Sequence, residues 1–195
     1  MEKNTIIEEN TTIHSHAHAA HTSSKILSPL TAAVITVSDK GYRGERKDLG
    51  GPLTAQILTE NGYQVIYQTI VSDEQMMIEA ELRKCADEFC IDFVATTGGT
   101  GFSLRDVTPE ATLAVCDCMA PGIAEAMRAE SYKITKKAML SRAASGLRKK
   151  TLIINLPGSP KAVKENLEAI LPTLEHGIRI LKGEDGDCGA PATKK

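Results

Sequence analysis

The chain has 195 residues, the length of a single domain. With 42% hydrophobic and 25% charged residues it can bury a core, and a formal net charge of -2 does not point to a wholesale nucleic-acid binder, while leaving room for a local basic pocket for phosphates. No apolar run approaches the ~18–20 residues of a membrane span. The opening MEKNTIIEEN has mixed charges and no apolar stretch, so it does not read as a secretory signal. Five cysteines without a CxxC pair argue against a disulfide framework or a zinc site and for reduced thiols in a cytoplasmic protein.

Residues 1–29 are polar, carry His14, His16, His18 and His21, and read as a disordered arm. The histidines suit a transition metal, but a short His-rich tract is compositional and an idle tail explains it as well. From Thr31 the pattern changes. TAAVITV is a continuous, β-branched run that suits a strand buried on both faces. LTAQILTENG predicts a helix closed by Gly62, and YQVIYQTIV a second strand. From Glu74 to Cys90, Ile78, Leu82, Cys85, Ala86 and Phe89 fall on one side of a helix. FVATT is the third strand. Two helical pieces follow, around Pro109–Met119 and Pro121–Glu130, each with proline near its start. TLIINL is the last strand. Val163, Leu167, Ile170, Leu171, Leu174, Ile178 and Leu181 then stripe a long helix from Pro160 to Lys182, with Pro172 set to kink it. Residues 185–195 read as a flexible tail, leaving residues 30–184 as the folded domain.

Strands alternating with helices predict a three-layer α/β sandwich on a mostly parallel, Rossmann-like sheet. Such sheets bind ligands beyond the carboxyl ends of their strands. Here those ends carry Ser38-Asp39, Ser72-Asp73, Thr97-Gly98-Gly99-Thr100-Gly101 and Leu156-Pro157-Gly158-Ser159. The TTGGTG segment leaves bare backbone for a phosphate, though it is neither a Walker A loop nor the dinucleotide GxGxxG pattern. A plain glycine turn is the alternative.

Asp106, between those glycines and a helix that Thr108 can cap, suits Mg²⁺ beside nucleotide phosphates, or else a surface pair with Arg105. Asp73 suits a second metal-facing carboxylate, or the N-cap of the next helix. Asp39 and Asp48 flank GYRGERKDLGG, a loop able to close over a substrate or simply to lie in solvent. Arg142 suits bidentate phosphate recognition and Ser141 can donate beside it, whereas Lys136-Lys137 read as solvated charge. Asn155 through Ser159 lead into a helix N-terminus, a natural anion site or an ordinary turn. His176, in the final helix, reads as a surface or packing residue.

Taken in order, ITVSDKG, VSDE, TTGGTGFSLRDVTPEAT, PGIAEAMR, AMLSRAASG and LIINLPGSPKAV closely resemble the molybdopterin adenylyltransferase (Mog) family, over about Ala32 to Lys182. The resemblance implies a trimeric Rossmann-like domain. It implies that a terminal phosphate of molybdopterin attacks the α-phosphate of Mg-ATP, giving adenylyl-molybdopterin and pyrophosphate, with hand-over to a molybdenum-insertion protein. Under it, Asp73 and Asp106 match the two essential, metal-facing acids, and Gly98, Gly99, Thr100 and Gly101 the phosphate loop. Ser38, Asp39, Ser141, Arg142, Asn155, Pro157, Gly158 and Ser159 match further pocket positions for ATP and molybdopterin. The rivals are a non-catalytic, MoaB-like molybdopterin-binding paralogue, a scaffold, and another nucleotide enzyme sharing the domain. Retention of both acids favours the enzyme.

Overall fold

The computed structural model describes residues 28–184. The four histidines of the arm and the tail 185–195 lie outside them. At the start of the described residues the Ser28 carbonyl accepts from Arg179 (3.3 Å).

The elements run β1 (Thr31–Val37), α1 (Asp39–Tyr42), α2 (Gly50–Glu60), β2 (Gln64–Val71), α3 (Gln75–Arg83), β3 (Phe93–Thr97), α4 (Thr108–Val115), β4 (Cys118–Met119), α5 (Pro121–Ile134), β5 (Ser145–Arg148), β6 (Thr151–Leu156) and α6 (Pro160–Lys182). They build one six-stranded sheet in the order β2-β1-β3-β6-β5-β4. The β2-β1-β3-β6 part is parallel, and β5 and β4 add an antiparallel edge.

The apolar runs of the central strands split between two cores, as the two-residue period of a strand requires. Ala32, Val34, Phe93, Ala95, Leu152, Ile154 and Leu156 face α2, α5 and α6. Ala33, Ile35, Val37, Val94 and Ile153 face α3 and α4. The expected three-layer sandwich is therefore present, with helices on both faces.

Three local expectations change. The first helix after β3 stops at Val115, and Cys118–Met119 is instead a short strand paired with β5. β5 itself carries no strand signal, since Ser-Gly-Leu-Arg has neither the length nor the β-branched content of one. After Arg83 the helix widens into a π-helical turn over Lys84–Glu88. That extra residue rotates Phe89 off the buried stripe. It is 42% exposed and lies edge-on to Tyr67 instead. Helix α6 runs on through Pro172, and His176 is exposed on it.

Candidate active site

β1 has β2 on one side and β3 on the other, so the chain reverses its direction of sheet growth there. That switch point is where an open α/β sheet binds ligands. A cleft of about 400 Å³ opens at this place, lined by Ser38, Asp73, Gly98, Gly99, Asp106 and Gly158 among others. Four different strand-end loops thus meet in one cavity.

The glycine loop is its floor. Gly98 and Gly99 have φ of 104° and 63°, conformations that side chains rarely adopt. Four consecutive carbonyls of the loop are tied back to the protein. Gly98 O accepts from Thr108 Oγ1 (3.0 Å) and Gly99 O from Thr108 N (3.2 Å). Thr100 O accepts from Arg142 N (2.9 Å) and Gly101 O from Arg142 Nε (2.7 Å). Gly98 N donates to Leu156 O. The N–H groups of Gly99, Thr100 and Gly101 have no partner among the described residues, which leaves consecutive amides for an anion. Thr108 is therefore not a helix cap. It is the first residue of α4, with Val107 before it, and it pins the loop.

A Cβ on Gly98 would overlap the Val37 carbonyl oxygen. Gly98→Ala is accordingly expected to cost about 1–3 kcal/mol in backbone strain alone, plus displacement of β1 or the loop. A denaturant titration measures it, and a midpoint equal to the parent's would contradict this account.

The two acids flank the loop. A Cβ on Gly99 would come within 3.4 Å of Asp73 Oδ1, and one on Gly101 within 2.9 Å of Asp106 Oδ2. Asp73 does not cap α3. The residue before that helix is Glu74, whose side chain makes no capping bond. Instead Asp73 Oδ2 accepts from Asp39 N (2.6 Å), and Asp73 N donates to Asp39 Oδ1 (3.0 Å). Burial raises the Asp73 carboxyl above its ordinary range. The Asp39 amide pulls it down, and the charges of Asp39 and Asp106 add to the rise. Asp106 Oδ2 accepts from Ser103 N (2.9 Å).

Asp106 is not paired with Arg105. That guanidinium grips Asp39 through Nε (3.1 Å) and Nη2 (3.0 Å), and Glu74 through Nη1 (2.7 Å). Arg105, with a further bond from Ser72, holds the Asp39 carboxyl far below the usual range. Asp48 is no loose loop carboxylate either. It accepts from Thr36 Oγ1 (2.6 Å) and Gly51 N (3.0 Å), fastening the start of α2.

The other expected pocket residues are dispersed. Thr100, Gly101, Ser141 and Pro157 line a second hollow of about 280 Å³ across the loop, with Met127, Leu140 and Ala162. Arg142 lines neither. Its guanidinium is taken up by Gly101 O, Asp106 O and Glu110, so it braces the loop from behind. Asn155 is fully buried, bonded to Ala144 N, Thr96 and Thr112, and Ser159 caps α6 through Ala162 N. Arg46 and Lys47, which the sequence did not single out, do line the first cleft.

Among the described residues no cluster of three or more metal-ligating side chains exists. The donor set is two carboxylates beside a glycine loop with free backbone amides. That suits Mg²⁺, which takes one or two carboxylates and completes its shell with phosphate oxygens and water.

Fold and cleft together define an open α/β domain with its main cleft at the switch point of the sheet. A family profile described as a probable molybdopterin binding domain matches residues 33–176. A molybdopterin adenylyltransferase of Helicobacter pylori is 45% identical over 153 residues, covering 77% of this chain and 86% of that protein. The Escherichia coli K12 molybdopterin adenylyltransferase is 40% identical over 147 residues, 74% of this chain and 75% of that one. The crystal structure of the molybdopterin biosynthesis enzyme MoaB of Thermus thermophilus superposes with a TM-score of 0.75 at 44% identity, covering 79% and 97% of the two chains. The chain belongs to this molybdopterin-binding family.

Proposed function

We propose that the chain is an adenylyltransferase acting on Mg-ATP and molybdopterin. One observation carries the reading: Asp73 and Asp106 line one cleft, on either side of a glycine loop whose Gly99, Thr100 and Gly101 amides have no partner among the described residues. In the reaction, an oxygen of molybdopterin's terminal phosphate bonds to the α-phosphorus of ATP. The bond from that phosphorus to the bridging oxygen breaks, and its electron pair leaves with pyrophosphate.

Such a transfer asks for alignment and charge neutralisation rather than a protein nucleophile. The free amides of Gly99, Thr100 and Gly101 orient phosphate oxygens, and Thr108 and Arg142 keep those amides in place. Asp73 and Asp106 would hold Mg²⁺, which when bound offsets charge on the phosphates. The polar cleft takes the triphosphate, and the more apolar hollow beyond the loop takes the ring system of the second substrate. The reacting phosphates meet over the shared loop. Ser141, at the rim of that hollow, donates to a polar ring atom. The resemblance further supports a homotrimer, a cytoplasmic setting and hand-over of product to a molybdenum-insertion protein. Among the described residues no helix is long and apolar enough to cross a membrane.

The test is pyrophosphate release from Mg-ATP with and without added molybdopterin. Release that depends on molybdopterin is the expected result. Binding of molybdopterin without any release would leave the non-catalytic, MoaB-like alternative.

A further inference from the structure

The pyrophosphate that must depart is strongly anionic, and stabilising it calls for positive charge aimed at the β- and γ-phosphates. The residue types point first to Arg142 and Arg105, and both are already occupied. Arg142 is bonded to two loop carbonyls and Glu110, and Arg105 to Asp39 and Glu74. Neither lines the cleft.

Two cations do. Arg46 and Lys47 stand side by side on its wall, together with Asp73, Asp106 and the glycine loop. Neither has an ion-pair partner within 4.0 Å among the described residues, although Asp48, Asp73 and Asp106 line the same cleft. Their neighbours explain why. Glu45 and Asp48 flank the pair in sequence, but Glu45 is bound to Arg43 (2.7 Å) and Asp48 is used by Thr36 and Gly51. The dipeptide is also anchored at both ends. Glu45 N and Arg46 N donate to Lys40 O (2.8 and 3.2 Å), and Asp48 is fixed to the start of α2. The backbone is thus held on the cleft wall while two long cationic side chains have no protein partner. Unpaired positive charge lining the same cleft as a glycine loop with free amides suits a phosphate ligand.

We propose that Arg46 and Lys47 bind the β- and γ-phosphates of the nucleotide and carry the charge of the leaving pyrophosphate. The proposal rests on the adenylyl-transfer reading for its chemistry, but its binding test does not depend on turnover. Inorganic pyrophosphate, ATP and AMP are each titrated calorimetrically into the full chain and into the Arg46→Gln/Lys47→Gln double variant. Affinity for pyrophosphate and ATP is expected to fall about ten- to a hundredfold per lost charge-assisted contact. Affinity for AMP and the thermal midpoint should be unchanged, since the side chains are exposed and bond nothing in the fold. In turnover, KM for ATP should rise and KM for molybdopterin stay. The Arg46→Lys/Lys47→Arg variant should recover most of the pyrophosphate affinity. A double variant that binds pyrophosphate like the parent overturns the proposal, and so does a parent that binds no pyrophosphate. A parent that binds pyrophosphate through these residues but never releases it from ATP upholds their assignment as the β- and γ-phosphate contacts and refutes the adenylyl-transfer reading instead.

Discussion

Asp106→Asn is expected to give a folded protein that still binds molybdopterin and transfers AMP at least about 10²-fold more slowly, the scale of one lost transition-state charge contact. The substitution is chosen from the bonds that Asp106 makes. Its backbone N donates to Ser103 O (2.9 Å), its carbonyl accepts from Arg142, and its side chain accepts from Ser103 N (2.9 Å). An asparagine keeps all three, because its amide oxygen replaces the accepting carboxylate oxygen. Only the negative charge beside Gly101 is removed. Thermal unfolding and single-turnover AMP transfer, measured on one preparation, separate the effects. An unchanged midpoint with a large rate loss is expected. Near-parental transfer would remove Asp106 from the reaction.

The sequence is most legible where structure is local. β1, β3 and β6 read correctly because strands covered on both faces are mostly apolar and β-branched, as TAAVITV, FVATT and TLIINL are, with threonine as the usual polar member. The carboxyl-edge placement of Asp73, Gly98, Asp106 and Gly158 follows from the parallel order alone. What sequence does not show is which polar groups are already occupied. Arg142 has the right chemistry for a phosphate, yet its partners lie 41 and 36 residues away, at Gly101 and Asp106. Asp73 stands where a helix cap is common, but the amide it satisfies belongs to Asp39, 34 residues earlier. Asn155 looks like a pocket residue and is instead the polar link between β6, Thr96 and Thr112 inside the core. In each case a tertiary partner overrides a local rule. Arg46 and Lys47 escape notice for the converse reason: in a loop rich in glycine and charge, nothing in the string marks which cations stay unpaired.

Asp73 is likewise governed by tertiary neighbours. Its carboxyl is partly desolvated and lies near the charges of Asp39 and Asp106, so its folded pKa is above the ordinary 3.8. A group whose pKa rises on folding supports the fold only below its unfolded pKa, and that support is lost as pH rises through the folded value. At neutral pH the ionised Asp73 is therefore a liability to the fold, retained for the cation it would hold. Asp73→Asn keeps an oxygen to accept from Asp39 N and removes the charge. Its stability at pH 7 should equal or exceed the parent's, while adenylyl transfer drops at least about 10²-fold. The pH profiles add a second readout. In the parent, kcat/KM should fall as pH drops through the raised Asp73 pKa, because protonation removes a metal-facing charge. Titrating stability from pH 7 down to pH 4 should show the parent gaining on the variant as Asp73 takes up its proton. A variant markedly less stable than the parent at pH 7, yet still active, would make Asp73 a structural acceptor for the Asp39 amide and leave Asp106 alone as the catalytic acid.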